Sequence, residues 1–328
     1  MRSIAANALT LMIVLGVALA AVVGYGVRGF NADGPLDTPA TFVVARGAAL
    51  ERVANDLEQA GVIDSATLFR LGARYQGKDG ALRYGEYAIP PRASMASVLD
   101  LLVSGKVVQY SIAVAEGLTS WEVVEILKAS DVLTGEVEAV PAEGALAPDT
   151  YAVQRGDTRA EVLARMAALQ TRRVAEAWAA RAADLPFDTP QQAVTLASII
   201  EKETGVAAER ALVSAVFHNR LKRGMRLQSD PTIIYGITEG KGPLDRALTR
   251  GDIQRATAWN TYAIDGLPKT PIANPGREAL MAAVRPAESD DLYFVADGSG
   301  GHAFARTLAE HNRNVAAWRA IERNRRAP

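Results

Sequence analysis

From Ile4 to Val27 the chain runs for 24 residues without a charge, rich in Leu, Val, Ile and Ala. Roughly 20 apolar residues are enough for a helix to cross a bilayer. A cleaved signal peptide has a shorter apolar core, about 7–15 residues. The length therefore predicts an uncleaved membrane anchor. Arg2 and Arg28 bracket the run, and Asp33 and Asp37 follow it. That charge bias favours the N-terminus inside. Residues 1–28 are read as a cytoplasmic tip and anchor. The next segment, residues 29–40, holds Gly34, Pro35 and Pro39 among polar residues and reads as a linker.

Beyond the anchor there is material for about two domains in 328 residues. Hydrophobic residues make up 49%, enough for a sizeable core. The net charge of −1 lacks the basic excess of a nucleic-acid binder. The chain has no cysteine, so disulfides, thiolate nucleophiles and thiolate metal sites are excluded. Its three histidines give a multi-histidine metal centre little support. No metal and no cofactor are expected.

One pattern returns four times: a short β-branched or alternating stretch, a polar turn, then an amphipathic helix. The first copy is Thr41–Val44, a turn at Arg46-Gly47, and a helix from Leu50 to about Ala60. The second has Tyr87–Ile89, Pro90-Pro91 and a helix over Met95–Ser104. The third has Tyr110–Val114, Glu116-Gly117 and a helix over Ser120–Lys128. The fourth has Tyr151–Val153, a turn over Arg155–Thr158 and a helix from Ala160 to about Leu169. Thr119 and Thr158 sit where N-cap hydroxyls belong, with Glu122 and Glu161 three residues on, the spacing of a capping box. The copies are too irregular for a solenoid. They predict an α+β region over residues 41–170. The fourth copy also resembles the opening of the LysM glycan-binding module, although an ordinary strand–turn–helix fits it equally. From about residue 171 to 328 the texture changes to long helices, Val174–Asp184, Thr189–Thr204 and Ala207–Lys222, followed by Pro- and Gly-rich loops.

The segment Gln192–Gly205 carries the most chemistry. On a wheel with Leu196 at zero, Ile200 falls at about 40°, Ala193 at about 60°, Ile199 at about −60° and Glu203 at about −20°. Glu201 falls near 140° and Lys202 near −120°, both off the apolar face. Gly205 offers a stop. The helix thus aims one carboxylate, Glu203, into its own buried side. Burial disfavours a charged carboxyl and raises its pKa. A glutamate of that kind beside a cleft can protonate a glycosidic oxygen. A buried glutamate paired to an arginine for structural reasons fits the wheel as well.

An irregular run follows, Met225–Thr232, and then Trp259–Tyr262, Gly266–Pro268 and Ala273–Gly276. Loops dense in aromatic and amide groups suit sugars, which need ring stacking and directed hydrogen bonds. Taken singly, each also fits plain turn chemistry.

With these blocks in hand the chain resembles the MltG/YceG-like endolytic murein transglycosylases. The resemblance rests on Ala197–Thr204, Phe217–Leu221, Met225–Thr232, Tyr235-Gly236, Asn260–Tyr262, Gly266–Pro268, Asn274–Gly276 and Tyr293–Gly298 with Gly301, His302 and Phe304. Pro148–Tyr151 and the single anchor also fit. The blocks keep the family's order across most of residues 190–312. There are two departures. Ala145 and Ala147 stand where the family usually has larger residues, and Lys269 where it more often has Pro or Gly.

The resemblance implies a LysM-like subdomain followed by a mainly helical, lysozyme-like catalytic domain. It implies Glu203 as the catalytic residue. Gln228, Ser229, Asp230, Thr232, Tyr235, Asn260, Tyr262, Asn274 and His302 become the expected substrate-binding residues. It also implies an inner-membrane protein with its active part in the periplasm, acting on peptidoglycan glycan strands, with cell-wall synthases as candidate partners. Most glycosidases use two carboxylates. No second acid is singled out; Asp230 is a candidate, and a turn-capping role suits it at least as well. A lytic transglycosylase can dispense with it, because the sugar's own C6 hydroxyl closes a 1,6-anhydro ring. A hydrolytic muramidase and a non-catalytic peptidoglycan-binding scaffold are the alternatives.

Overall fold

The computed structural model describes residues 2–326. The side chains of residues 1–6 and 326–328 lie outside that description, so Arg2, one of the two arginines bracketing the apolar run, is not placed. The described chain divides into two compact units. One holds residues 1–110, 132–134 and 152–157; the other holds residues 111–131, 135–151 and 158–328.

The first unit opens with helix α1 (Arg2–Asn31). Its stretch Asn7–Asn31 is long and apolar enough to cross a membrane, with mean hydropathy 2.4. Then come β1 (Ala40–Val44), α2 (Leu50–Gln59), α3 (Ala66–Tyr75), β2 (Gly85–Ile89) and α4 (Met95–Ser104). Strands β1 and β2 pair antiparallel, Ala40 opposite Ile89 and Val44 opposite Gly85. Phe42, Val53, Leu57, Phe69, Ile89, Val98 and Leu102 form the core with Tyr87. The Tyr87 hydroxyl donates to the carbonyls of Arg83 and Leu102, so the ring is buried without orphaning its oxygen. Helix α3 stood outside the repeated pattern. It carries its own signal, Ser65, whose side chain accepts from the Leu68 N–H at the N-cap.

Two features depart from the reading of residues 29–40 as a linker. Helix α1 continues through Asn31 despite Gly29, which lets Leu68 pack close against it. Phe30 is buried in the core of the first unit. The following residues are also tied down. The Gly34 N–H donates to the Arg92 carbonyl at 3.2 Å, the Arg92 N–H donates to the Leu36 carbonyl at 2.8 Å, and Asp33 pairs with Arg92 at 2.9 Å.

The second unit contains α5 (Ser120–Ala129) and α6 (Arg159–Ala179). The expected capping boxes are present, Thr119 with Glu122 and Thr158 with Glu161. Strands β3 (Tyr110–Ala113) and β4 (Thr150–Val153) form a two-stranded sheet. Helix α6 runs straight through residue 170, where a domain boundary was expected, and absorbs most of the helix expected over Val174–Asp184. No Gly or Pro interrupts it. Gln170 is buried within it and donates to the carbonyls of Gly144 and Pro275.

Next come α7 (Pro190–Glu203), a 3-10 turn at Ala207–Glu209, α8 (Arg210–Lys222), α9 (Asp230–Thr238), α10 (Arg250–Gln254) and α11 (Arg277–Val284). The hairpin β5 (Tyr293–Ala296) and β6 (His302–Ala305) pairs antiparallel, and α12 (Leu308–Arg326) ends the chain. The run expected to be irregular over Met225–Thr232 is in part helical. Helix α9 starts at Asp230 with Pro231 in its first turn, where proline needs no N–H partner. The core of this unit gathers around α7, whose residues Ala193–Ile200 are all buried.

Candidate active site

Helix α7 is capped by Thr189 and Gln192 at one end. At the other it stops because Thr204 turns extended, with φ −141°. Gly205 is not needed as a left-handed cap. Glu203 is therefore the last residue of a helix held rigidly by its buried flanks. Its Oε1 accepts a hydrogen bond from the Ser229 hydroxyl at 2.5 Å. Burial pushes the Glu203 carboxyl up to about 7. The Ser229 hydroxyl works against that rise, Asp230 adds to it by repulsion, and His302 and Arg220 oppose it.

A small hydroxyl network fixes Ser229. Its N–H donates to Thr261 Oγ1 at 2.9 Å. Thr232 Oγ1 donates to the Ser229 carbonyl at 2.6 Å and lies 2.9 Å from Thr261 Oγ1. Ser229, Thr232 and Thr261 are all buried. The preceding Gln228 has a left-handed backbone, φ 52°, and its N–H donates to the Thr261 carbonyl. A non-glycine residue in that region is uncommon and costs some backbone energy. Here the left-handed turn sets Ser229 at the foot of α9, facing Glu203.

Asp230 is exposed, and its Oδ1 accepts from the Tyr262 hydroxyl at 2.7 Å. That hydroxyl is itself held protonated by burial and by Asp230. Arg220 is buried under the site. It donates from Nε to the Leu292 carbonyl and from Nη1 to the Leu227 carbonyl, both at 2.7 Å, and lies over the Tyr293 ring. His302, on β6, is clamped by Glu209 of the 3-10 turn. Glu209 Oε1 accepts the His302 backbone N–H and Oε2 lies 2.7 Å from Nδ1. A carboxylate can only accept, so Nδ1 is the donor of that bond.

Residues 42–317 match the sequence profile of the YceG-like family. That span is most of the chain and includes every residue of the network just described. The chain belongs to the YceG-like family. The Bacillus subtilis relative named endolytic murein transglycosylase is 29% identical over 301 residues, 82% of each chain. A Streptococcus pneumoniae relative of the same name is 25% identical and covers 84% of this chain, which spans only 58% of that longer protein. The crystal structure of a YceG-like protein from Listeria monocytogenes is 26% identical, with TM-score 0.53 over 84% of this chain and 98% of that one.

Not every residue of the YceG-like motifs points toward a ligand. Asn260 is buried, with Nδ2 donating to the carbonyls of Asp252, Ile253 and Arg255 and Oδ1 accepting the Tyr262 N–H. Asn274 is buried too. Its Oδ1 accepts the Leu146 N–H at 2.9 Å, and its Nδ2 donates to the Leu118 carbonyl at 3.1 Å. Both amides tie loops together, and the expected sugar-binding role has no free polar atom to rest on. Thr232 is likewise used internally. The Tyr235 hydroxyl donates to Glu143 at 3.1 Å, and the ring packs on Trp259. Ser229, Asp230, Tyr262 and His302 remain around Glu203, and Gln228 precedes Ser229 in the chain.

Glu201, expected off the apolar face, is also withdrawn from solvent. Its side chain is 6% exposed, and its Oε2 accepts the Gly276 N–H at 2.8 Å. The Glu116 carboxylate packs against Gly276, where a Cβ would fall 1.8 Å from its Oε1, so any larger residue there would displace that side chain. The YceG-like Asn-Pro-Gly motif thus braces Glu201 and ties together the segments at Leu118 and Leu146. Arg220 and Glu209 were not singled out from sequence. Arg220 lies within the matched block Phe217–Leu221, and its deep position on a helix otherwise lined with apolar residues was the available signal.

Proposed function

We propose that this chain is a peptidoglycan lytic transglycosylase that cuts within glycan strands, with Glu203 as its single acid/base. The observation that carries the proposal is a helix-end glutamate whose carboxyl is raised to about 7 and whose partner is one serine hydroxyl. At neutral pH such a group is populated in both protonation states, which acid/base work requires.

Protonated Glu203 donates to the leaving oxygen of the MurNAc–GlcNAc bond. The substrate's N-acetyl group stabilises the cationic centre that develops at C1. Glu203, now a carboxylate, takes the proton of the C6 hydroxyl as that oxygen bonds to C1, closing the 1,6-anhydro ring. The nucleophile belongs to the sugar, so the entropy cost of bringing it in is largely prepaid. Ser229 returns its hydrogen bond to the carboxylate in this second state. Asp230 is engaged by Tyr262 and serves substrate placement rather than nucleophilic attack. Gln228, Tyr262 and His302 are the proposed sugar contacts.

We place the second unit in the periplasm as a lysozyme-like catalytic domain, with α1 as a single-pass inner-membrane anchor. The LysM-like reading of the region around Tyr151–Thr158 supports glycan binding outside the catalytic cleft. Cell-wall synthases are natural partners, since strand cutting has to keep pace with strand synthesis. The test is digestion of uncross-linked glycan strands by the full chain in detergent, with product sizing. Endolytic action predicts an early spread of intermediate lengths. Release of only the smallest fragments from the first time point would contradict it.

A further inference from the structure

Helix α3 is apolar around more of its circumference than its core requires. At about 100° per residue its positions fall into four sectors, one of them polar. Ala66, Phe69 and Ala73 face the core and are buried. Leu68 and Gly72 face α1. Leu68 lies against Gly26 and Gly29, and Gly72 leaves room for the Phe30 ring, which would sit 2.3 Å from a Cβ there. The next sector, between the α1 contact and the polar side of Arg70 and Arg74, holds Leu71 and Tyr75. These are 58% and 93% exposed.

The level of that sector is set by α1. The apolar run ends at Val27 and Arg28. Leu68 touches α1 at Gly26 and Gly29, the turn in which the helix passes from apolar to charged. Tyr25, 83% exposed, stands one residue earlier. Tyrosine collects at the boundary between hydrocarbon and water, where its ring and hydroxyl each find a suitable medium. Arg28, one turn after Tyr25, is exposed, and a long basic side chain at the end of a span can reach headgroup phosphates. Because Phe30 is locked in the core, the first unit cannot drift from this level on a loose tether.

We infer that the Leu71–Tyr75 face of α3 is seated in the headgroup layer of the bilayer, extending the lipid contact of α1 onto the folded unit. The inference rests on α1 being a membrane span. An exposed apolar pair one to two helical turns beyond the Leu68 contact, past the point where α1 leaves the hydrocarbon, has the headgroup layer as its fitting occupant.

The chain has no cysteine, so single-cysteine variants label cleanly. The full chain is reconstituted in phosphatidylethanolamine/phosphatidylglycerol nanodiscs and labelled with bimane at Val14→Cys, Gln59→Cys, Leu71→Cys or Tyr75→Cys. Lipids with a spin label near the headgroup or deep in the acyl chain supply the quencher. We expect shallow-label quenching at positions 71 and 75 several-fold above that at 59, with 14 quenched by the deep label. If 14 is quenched and 71 and 75 match 59, the lipid seat is wrong while the anchor stands. If 14 is not quenched, the anchor reading fails and the seat falls with it. If Tyr75→Cys instead forms disulfide-linked dimers without lipid quenching, a second copy covers this face and the inference is overturned.

Discussion

The Ser229 hydroxyl donates to Glu203 across 2.5 Å, linking the N-cap position of α9 to the last residue of α7. This bond favours the carboxylate, whereas burial favours the acid. The balance puts the group near neutrality.

Removing the bond should shift that balance. Ser229→Ala deletes a charge-assisted hydrogen bond worth roughly 1.5–3 kcal/mol, hence about one unit or more of pKa. The alkaline limb of kcat/KM should move to higher pH by about one unit. Maximal turnover should fall, because the conjugate base loses its donor. A pH–rate profile on glycan strands reads both changes, and an unmoved alkaline limb would contradict the assignment.

Glu203→Gln should stabilise the fold while abolishing cleavage. The folded-state pKa is raised, so between pH 4.5 and about 7 the folded protein binds more protons than the unfolded chain. Stability is therefore lost as pH rises through that window and stays reduced above it. The cost approaches about 3 kcal/mol by linkage, at about 1.4 kcal/mol per unit. Glutamine avoids it. Thermal melts should show the variant equal to wild type near pH 4 and more stable at pH 8.

Asn274→Ala should act on folding. It strands the Leu146 N–H, at about 1–3 kcal/mol for a buried group left unpaired, while the Leu118 carbonyl keeps the backbone N–H of residue 274. A melting temperature lowered by several degrees, with KM unchanged where the protein is folded, is the expected outcome. A raised KM in a fully folded variant would restore the sugar-binding role.

Phe30→Ala should cost about 3–5 kcal/mol, as for other buried phenylalanines replaced by alanine. A chain shortened to begin after Asn31 should lose the same contacts. Denaturant unfolding of the first unit measures either change. Equal stability with and without Phe30 would show that the anchor end adds nothing to the core.

The short strand–turn–helix copies were legible because capping boxes and alternation act over three or four residues, as at Thr119/Glu122 and Thr158/Glu161. Glu203 was legible because period and burial coincide on α7. Glu201 was misjudged for a matching reason. The wheel describes one helix, and Glu201 is buried by a different element, the Gly276 turn. Asn260 and Asn274 looked like sugar ligands because an amide in a loop has the same residue type whether it binds substrate or braces backbone. Phe30 and the course of α6 past residue 170 depended on tertiary packing, which no local window contains.

The central claim is that Glu203 alone serves as acid and then base for ring closure within the sugar. Mass spectrometry of the ends made by wild type and by Glu203→Gln on purified glycan strands tests it most directly. The account predicts 1,6-anhydro ends from wild type and no new ends from the variant. Reducing ends from wild type, or near-normal cutting by the variant, would contradict it.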